Sequence, residues 1–196
     1  TDKIDIEDIK LDSSKWILKE FEEIQKRYFD NIEKYQFHEI ASSLYHFTWH
    51  TYCDWYIEFI KSDFKDSEKS EETIKVSGWV FVQILKLLHP VMPFITEKLW
   101  LSLVDKKTFL INQEFIKINF DHSYQESKTY ILKIIEIMTA LRNLRADLNI
   151  SYKNEIDLII DAKNDYLKKF ISNYEEEFKR LIKTNTISYE ENTNQK

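Results

Sequence analysis

Two imidazoles stand four residues apart in His46-Phe-Thr-Trp-His50, and a thiol and a carboxylate follow at Cys53 and Asp54. On a helix these groups share one side. Neutral imidazoles at that interval can hold zinc. However, the glutamate that acts as general base in an H-E-x-x-H protease is missing, and no paired-cysteine signature accompanies the histidines. No metal site is therefore expected, and the histidines are read as a polar seam or as caps on aromatic packing. The same stretch carries Trp49, Tyr52, Trp55 and Tyr56. Such rings can stack on bases, because every base has a π-face. Their helical spacing favours core packing over that role. Asp54 and Glu58 form a carboxylate pair at i, i+4, but acid–base catalysis needs a partner of tuned pKa in a cleft, so pairing with Lys61 is expected instead. Arg142 and Arg145 share a helical face and suit either phosphate, through their fork geometry, or an ion pair with Asp147 or with the adjoining bundle. No Ser/His/Asp order is present, and Cys53 among aromatics reads as a small buried apolar residue. No catalytic residue is assigned.

The elements that must position these groups follow from composition. The chain has 196 residues, 43% hydrophobic and 32% charged, which describes a globular protein with a substantial core. Its net charge of −6 gives no global field for nucleic acid, so binding of that kind requires local patches. One cysteine allows no internal disulfide. No apolar run approaches the roughly 20 residues of a membrane helix. The opening TDKIDIEDIKL has neither the basic start nor the apolar block of a signal peptide, so a cytoplasmic location without membrane contact is expected. Gly78 is the single glycine. Phosphate-cradling loops need several, so neither a Walker loop nor a dinucleotide fingerprint is present. A β-rich fold needs more turn glycines as well. The fold class is mainly α.

The apolar spacing predicts helix one over residues 12 to 34, N-capped by Asp12 and stapled by Leu11 against Trp16. Ile17, Phe21, Ile24 and Tyr28 continue its stripe. Helix two is predicted over 37 to 61, with one face of Phe37, Ala41, Leu44, Thr48, Trp55 and Phe59 and a second of Tyr45, Trp49, Tyr52 and Tyr56. A helix apolar on two faces is central in a bundle. Residues 61 to 73 read as a solvated loop and 72 to 89 as helix three, ended by Pro90. His89 sits where a C-terminal cation or cap is welcome. Pro93 opens helix four, which runs to about Val104. Residues 105 to 122 read as irregular, with an extended piece at FIKINF. Helix five covers 124 to 147 with Ile131, Ile134, Ile135, Met138 and Leu141 inward. A strand at 155 to 161, a helix over 163 to 183 and a strand in TNTISYEE complete the chain. This divides it into a helical bundle, 1–122, and a small α/β module, 123–196.

SSKWIL at 13–18, FTWHTYCDWYIEFIK at 47–61, LLHPVMPFITEKLW at 87–100 and LRNLRADLNI at 141–150 occur in that order. Together they resemble the C-terminal region of the valyl-tRNA synthetase family of class I ligases, over about residues 12 to 160. The run Cys53-Asp54-Trp55-Tyr56 is the most specific part. Isoleucyl- and leucyl-tRNA synthetases share the bundle and a looser Pro-x-x-Pro turn. The resemblance implies an anticodon-binding helical bundle followed by a small α/β junction module. It implies valine-accepting tRNA as partner, with catalytic and editing domains upstream in the same polypeptide that use ATP and magnesium. The ATP signatures HIGH and KMSKS are not in this sequence, so no valine activation or aminoacylation is expected from the chain alone, and no cofactor within it. Anticodon contacts are expected at the start of helix one, through Lys15, Trp16 and Lys19, with Trp16 either a stacking ring or the staple alone. Tyr52, Tyr56 and Lys61 stand next, and Arg142 and Arg145 are candidates for the tRNA backbone. A helical protein-interaction module without an RNA role is the rival reading, favoured by the acidic balance.

Overall fold

The computed structural model describes residues 9–161, 168 and 171–190. The chain divides into two compact units, residues 1–131 and 132–196. The described residues of the first unit are all helix and loop. Helix α1 spans Asp12–Glu33 and buries Trp16, Ile17, Phe21, Ile24 and Tyr28 along the expected stripe. Its N-cap is Leu11, in extended conformation, not Asp12. The entry is instead fixed from a distance. The Glu72 carboxylate accepts the N–H groups of Lys10 and Leu11 at 3.0 Å each. Asp12 is thereby free to accept the Ser127 hydroxyl at 2.7 Å. With the cap one residue earlier, Leu11 and Trp16 no longer occupy the staple positions.

Helix α2, Phe37–His46, continues without a break as π-helical turns over Phe47–Tyr56 and then as α3, Ile57–Phe59. The expected long helix is present, but the wider turns re-aim its side chains. Bonds of the i→i+5 kind, such as Ile57 N–H to the Tyr52 carbonyl, place Phe47, Tyr52 and Tyr56 inward. Tyr45 and Trp49, grouped with Tyr52 and Tyr56 by the 3.6-residue period, point to solvent, as does Phe37.

A short 3₁₀ turn over Asp63–Lys65 precedes α4, Ser67–Leu88, so most of the expected loop is helix. The charged run conceals an N-cap: the Asp66 carboxylate accepts the N–H groups of Glu68 at 3.0 Å and Lys69 at 3.4 Å. Helix α4 ends at Leu88, ahead of Pro90, and Pro93 opens α5, Pro93–Leu99, which widens into π turns over Trp100–Val104. His89 joins the two helices, its Nδ1 lying 2.9 Å from the Thr96 hydroxyl and its Nε2 3.9 Å from the Glu97 carboxylate. FIKINF forms no strand. Its neighbourhood is tethered by side chains instead: Gln25 donates to the Ile116 carbonyl at 2.8 Å and Lys86 to the Glu114 carbonyl at 3.1 Å.

Helix α6, His122–Asp147, begins near its predicted start, and the division into units falls inside it. In the second unit, strand β1, Ile156–Asp161, pairs in parallel with strand β2, Thr184–Glu190. Parallel pairing needs a crossover connection. Helix α7, Glu175–Ile182, belongs to it, and a turn at Asn173–Tyr174 interrupts the single helix expected there. Most of that helix's first half lies outside the described residues. Lys183 adopts a left-handed conformation, φ 59°, ending α7 so that β2 starts at the next residue. Phe178, Leu181 and Ile182 of α7 are buried. Among the described residues no helix is long and apolar enough to cross a membrane.

Candidate nucleic-acid interface

The first turn of α1 is packed. Trp16 is 1% exposed and meets Tyr56 and Phe59, with ring centroids 6.2 and 6.1 Å away. No base can reach its face, which corrects the stacking role considered for it. Ser14 is fully buried. Lys15 extends over the Tyr124 ring, its ammonium 6.0 Å from the centroid. Lys19 is held by Glu22 at 2.7 Å. Tyr56 is fully buried, and Tyr52 nearly so, donating its hydroxyl to the Ser77 carbonyl at 3.0 Å. Burial raises the pKa of both tyrosines. Lys61 is exposed and bonded to Glu58, as expected of that pair. Of the six anticodon candidates, then, Trp16 and Tyr56 are core, Tyr52 is committed to an internal bond, Lys15 and Lys19 are half-buried with Lys19 paired to Glu22, and Lys61 alone is exposed.

The arginine pair is also built inward. Arg145 is 5% exposed and donates to the carbonyls of Ile182 at 2.8 Å, Ser151 at 2.8 Å and Asn154 at 2.7 Å. It neither reaches a phosphate nor pairs with Asp147. It ties the end of α6 to the loop before β1 and to the end of α7. Arg142, half-buried, donates to the Leu181 carbonyl at 3.4 Å.

The histidine constellation opens outward. The His46 and His50 rings lie 5.0 Å apart, and His50 Nδ1 is 3.2 Å from the Asp54 carboxylate. Among the described residues no three His, Cys, Asp or Glu side chains converge as a metal would require. Cys53 is exposed, which corrects its reading as a core residue: the π turns carry it to the outer face. Partial desolvation and then the Asp54 charge push its thiol up.

An aromatic pair, of which the periodicity marked Phe37 alone and as part of an apolar helix face, crowns the α1–α2 turn. Tyr35 is 80% exposed and Phe37 62%, with rings edge to face at 6.3 Å. Lys34 and His38 flank them in the chain and are exposed, as are Glu33 and Glu39. Tyr35 holds φ 57°, a left-handed value unusual for a bulky side chain. It occupies the C′ position of a Schellman turn, where glycine is usual. Its N–H bonds to the Ile32 carbonyl at 3.0 Å, and the Gln36 N–H bonds to the Asn31 carbonyl at 2.8 Å. The signal available in the sequence was Lys34-Tyr-Gln-Phe-His38 itself, a basic and aromatic run at a helix junction.

Exposed aromatic rings of this kind can stack on unpaired bases. The sequence agrees: residues 14–160 match the family described as the anticodon-binding domain of tRNA ligase, and the chain belongs to that family. Its relatives include the valine–tRNA ligase of Lactiplantibacillus plantarum, 32% identical over 90% of this chain and 20% of that protein, and that of Staphylococcus aureus, 30% identical over 93% of this chain and 22% of that protein. The chain spans about a fifth of the length of these curated relatives.

Proposed function

We propose that the chain is the tRNA anticodon-recognition region of a valine–tRNA ligase, and that it orients valine-accepting tRNA for a catalytic domain elsewhere in a longer polypeptide. Catalytic and editing domains upstream would supply aminoacylation with ATP and magnesium, in the cytoplasm. This chain's own residues do not fit a nucleoside triphosphate: its one glycine, Gly78, lies inside α4, not in a phosphate-cradling loop. The observation that carries the reading is the Tyr35–Phe37 pair on the exposed α1–α2 turn, within a chain of the anticodon-binding family. Stacking on such rings is worth about 1–3 kcal/mol per base, and the exposed Lys34 beside them would meet the backbone.

The test is equilibrium binding of fluorescent anticodon stem-loops, one with the valine anticodon and one with an isoleucine anticodon. Tighter binding of the valine stem-loop, weakened in Tyr35→Ala and Phe37→Ala by about ten- to a hundredfold as lost stacking implies, supports the reading. Equal binding of both stem-loops, or binding indifferent to both substitutions, overturns it.

A further inference from the structure

The helical run from Phe37 to Phe59 leaves a regular line open. Ala41, Tyr45, Trp49 and Cys53 follow one another at intervals of four and are all exposed, Tyr45 by 61% and Trp49 by 53%. In an α-helix that interval drifts forward around the axis, while in π turns, which hold more residues each, it drifts back. The change of helix type at Phe47 therefore keeps the four in line over a length on the order of 18 Å. Small residues end the line and large rings fill its middle. One border is polar: the His50 ring stands edge-on to Tyr45 at 6.2 Å and is held by Asp54 at 3.2 Å.

We propose that this line seats a helix from the part of the ligase polypeptide that lies outside these 196 residues. Scattered exposed apolar side chains are ordinary, but a periodic line of them on a rigid helix marks an interface. Tyr45 and Trp49 offer a ridge, and the small ends allow close approach, which is the geometry of ridges packed into grooves. RNA is the poorer occupant. No Lys or Arg occurs between Lys34 and Lys61, so the run itself offers phosphates no cation, while Glu39, Asp54 and Glu58 would repel them. A protein helix bearing apolar residues at i, i+4 and i+7 needs no such charge. The matched relatives have the material, since the region this chain covers is about a fifth of their length. The inference rests on the proposed place within a longer ligase, but its readout is independent of tRNA binding.

Cys53, the single cysteine, sits at the end of the line and reports its cover. The isolated chain and the full-length polypeptide would be alkylated with iodoacetamide, without tRNA, and modification followed on the tryptic peptide Tyr35–Lys61 by mass spectrometry. Cys53 should react about tenfold or more slowly in the full-length protein, as expected for a site that must open first. Trp49→Glu, which adds no trypsin site, should restore the fast rate there and leave the circular dichroism of the isolated chain unchanged. Equal rates in the two proteins overturn the proposal. So does protection that arises only when tRNA is added, which would give the line to RNA. Concentration-dependent protection in the isolated chain would give it to a second copy and overturn the proposal too. Loss of tRNA binding with Cys53 protection intact would sink the anticodon reading alone.

Discussion

Trp16 meets Tyr56 edge to face, ring centroids 6.2 Å apart and planes at 64°. Both are buried, and neither the indole N–H nor the phenol finds a hydrogen-bond partner, so packing alone holds the contact. It joins the first turn of α1 to the last π turn before α3. Trp16→Ala should therefore destabilise the fold by about 3–5 kcal/mol, the range for emptying a buried aromatic site. Trp55, one position from Tyr56, is only half-buried. Trp55→Ala should cost nearer 1 kcal/mol, the centre of the range for point substitutions. Urea unfolding of both variants checks the order, and a larger loss at Trp55 would refute it.

That contrast shows where the sequence was legible. Helix ends marked by Pro90 and Pro93, the α1 stripe and the β1 run follow from local rules, and the structure repeats them. The faces of the aromatic helix do not follow, because a periodicity argument presumes 3.6 residues per turn and the π turns break that presumption between Phe47 and Tyr56. The cap of α1 was hidden because its donors are satisfied by Glu72, some sixty residues away. The roles of the arginines were hidden for the same reason. Their partners are main-chain carbonyls, which no side-chain pattern announces.

Arg145 should matter to the second unit and not to RNA. Its guanidinium satisfies three carbonyls in a nearly closed site. Arg145→Met removes these charge-assisted bonds, each worth about 1.5–3 kcal/mol, and leaves buried acceptors unpaired. Hydrogen exchange should accelerate in β1 and β2. The dependence of log tRNA affinity on log salt should keep its slope, because no phosphate contact is lost. A flatter slope with unchanged exchange would return Arg145 to the phosphate reading.

Alkali should unfold the first unit in a defined window. Burial, then the Asp121 and Glu72 charges, raises Tyr124 from 10 to about 12. Tyr56 is raised as well, chiefly by burial. A phenol whose pKa is higher when folded keeps its full contribution to stability below the unfolded value of 10. That contribution is lost as pH rises from there through about 12, since the unfolded chain gives up its proton first. The urea midpoint should be flat from neutrality to the start of that window and fall inside it, with phenolate absorbance rising as structure is lost. A fall completed before the window opens would show that other groups control it.

Gly78 lies inside α4, and a methyl group placed on it would meet nothing within 4 Å. Its φ is not positive, so no turn demands glycine. Gly78→Ala should stabilise the chain by about 0.8–1.0 kcal/mol through helix propensity alone. For a chain of this size that corresponds to a rise in Tm of about 2–4 °C. Calorimetry decides it, and a lowered Tm would mean that the position tolerates no side chain.

Tyr35 separates stability from recognition most sharply. Its left-handed backbone, φ 57°, completes the Schellman turn at the end of α1, and two other left-handed residues, Asn149 and Lys183, end helices elsewhere in the chain. Asparagine tolerates that conformation readily, whereas a bulky ring is held in it at a cost on the order of 1 kcal/mol. The ring gains little in return within the fold, being 80% exposed and touching Phe37 only edge-on. A strained, exposed aromatic at a rigid turn is what a stacking contact with a loop base would retain. Tyr35→Gly should therefore raise stability by up to about 1 kcal/mol, since relief of the φ penalty outweighs the added freedom of the unfolded chain. The same substitution should weaken binding of the valine anticodon stem-loop by about 1–3 kcal/mol. Tyr35→Phe, which keeps the ring and the strain, should change neither quantity appreciably. Parallel melting curves and titrations of the three proteins give the answer: a Tyr35→Gly variant that gains stability and keeps full affinity would remove this turn from the interface.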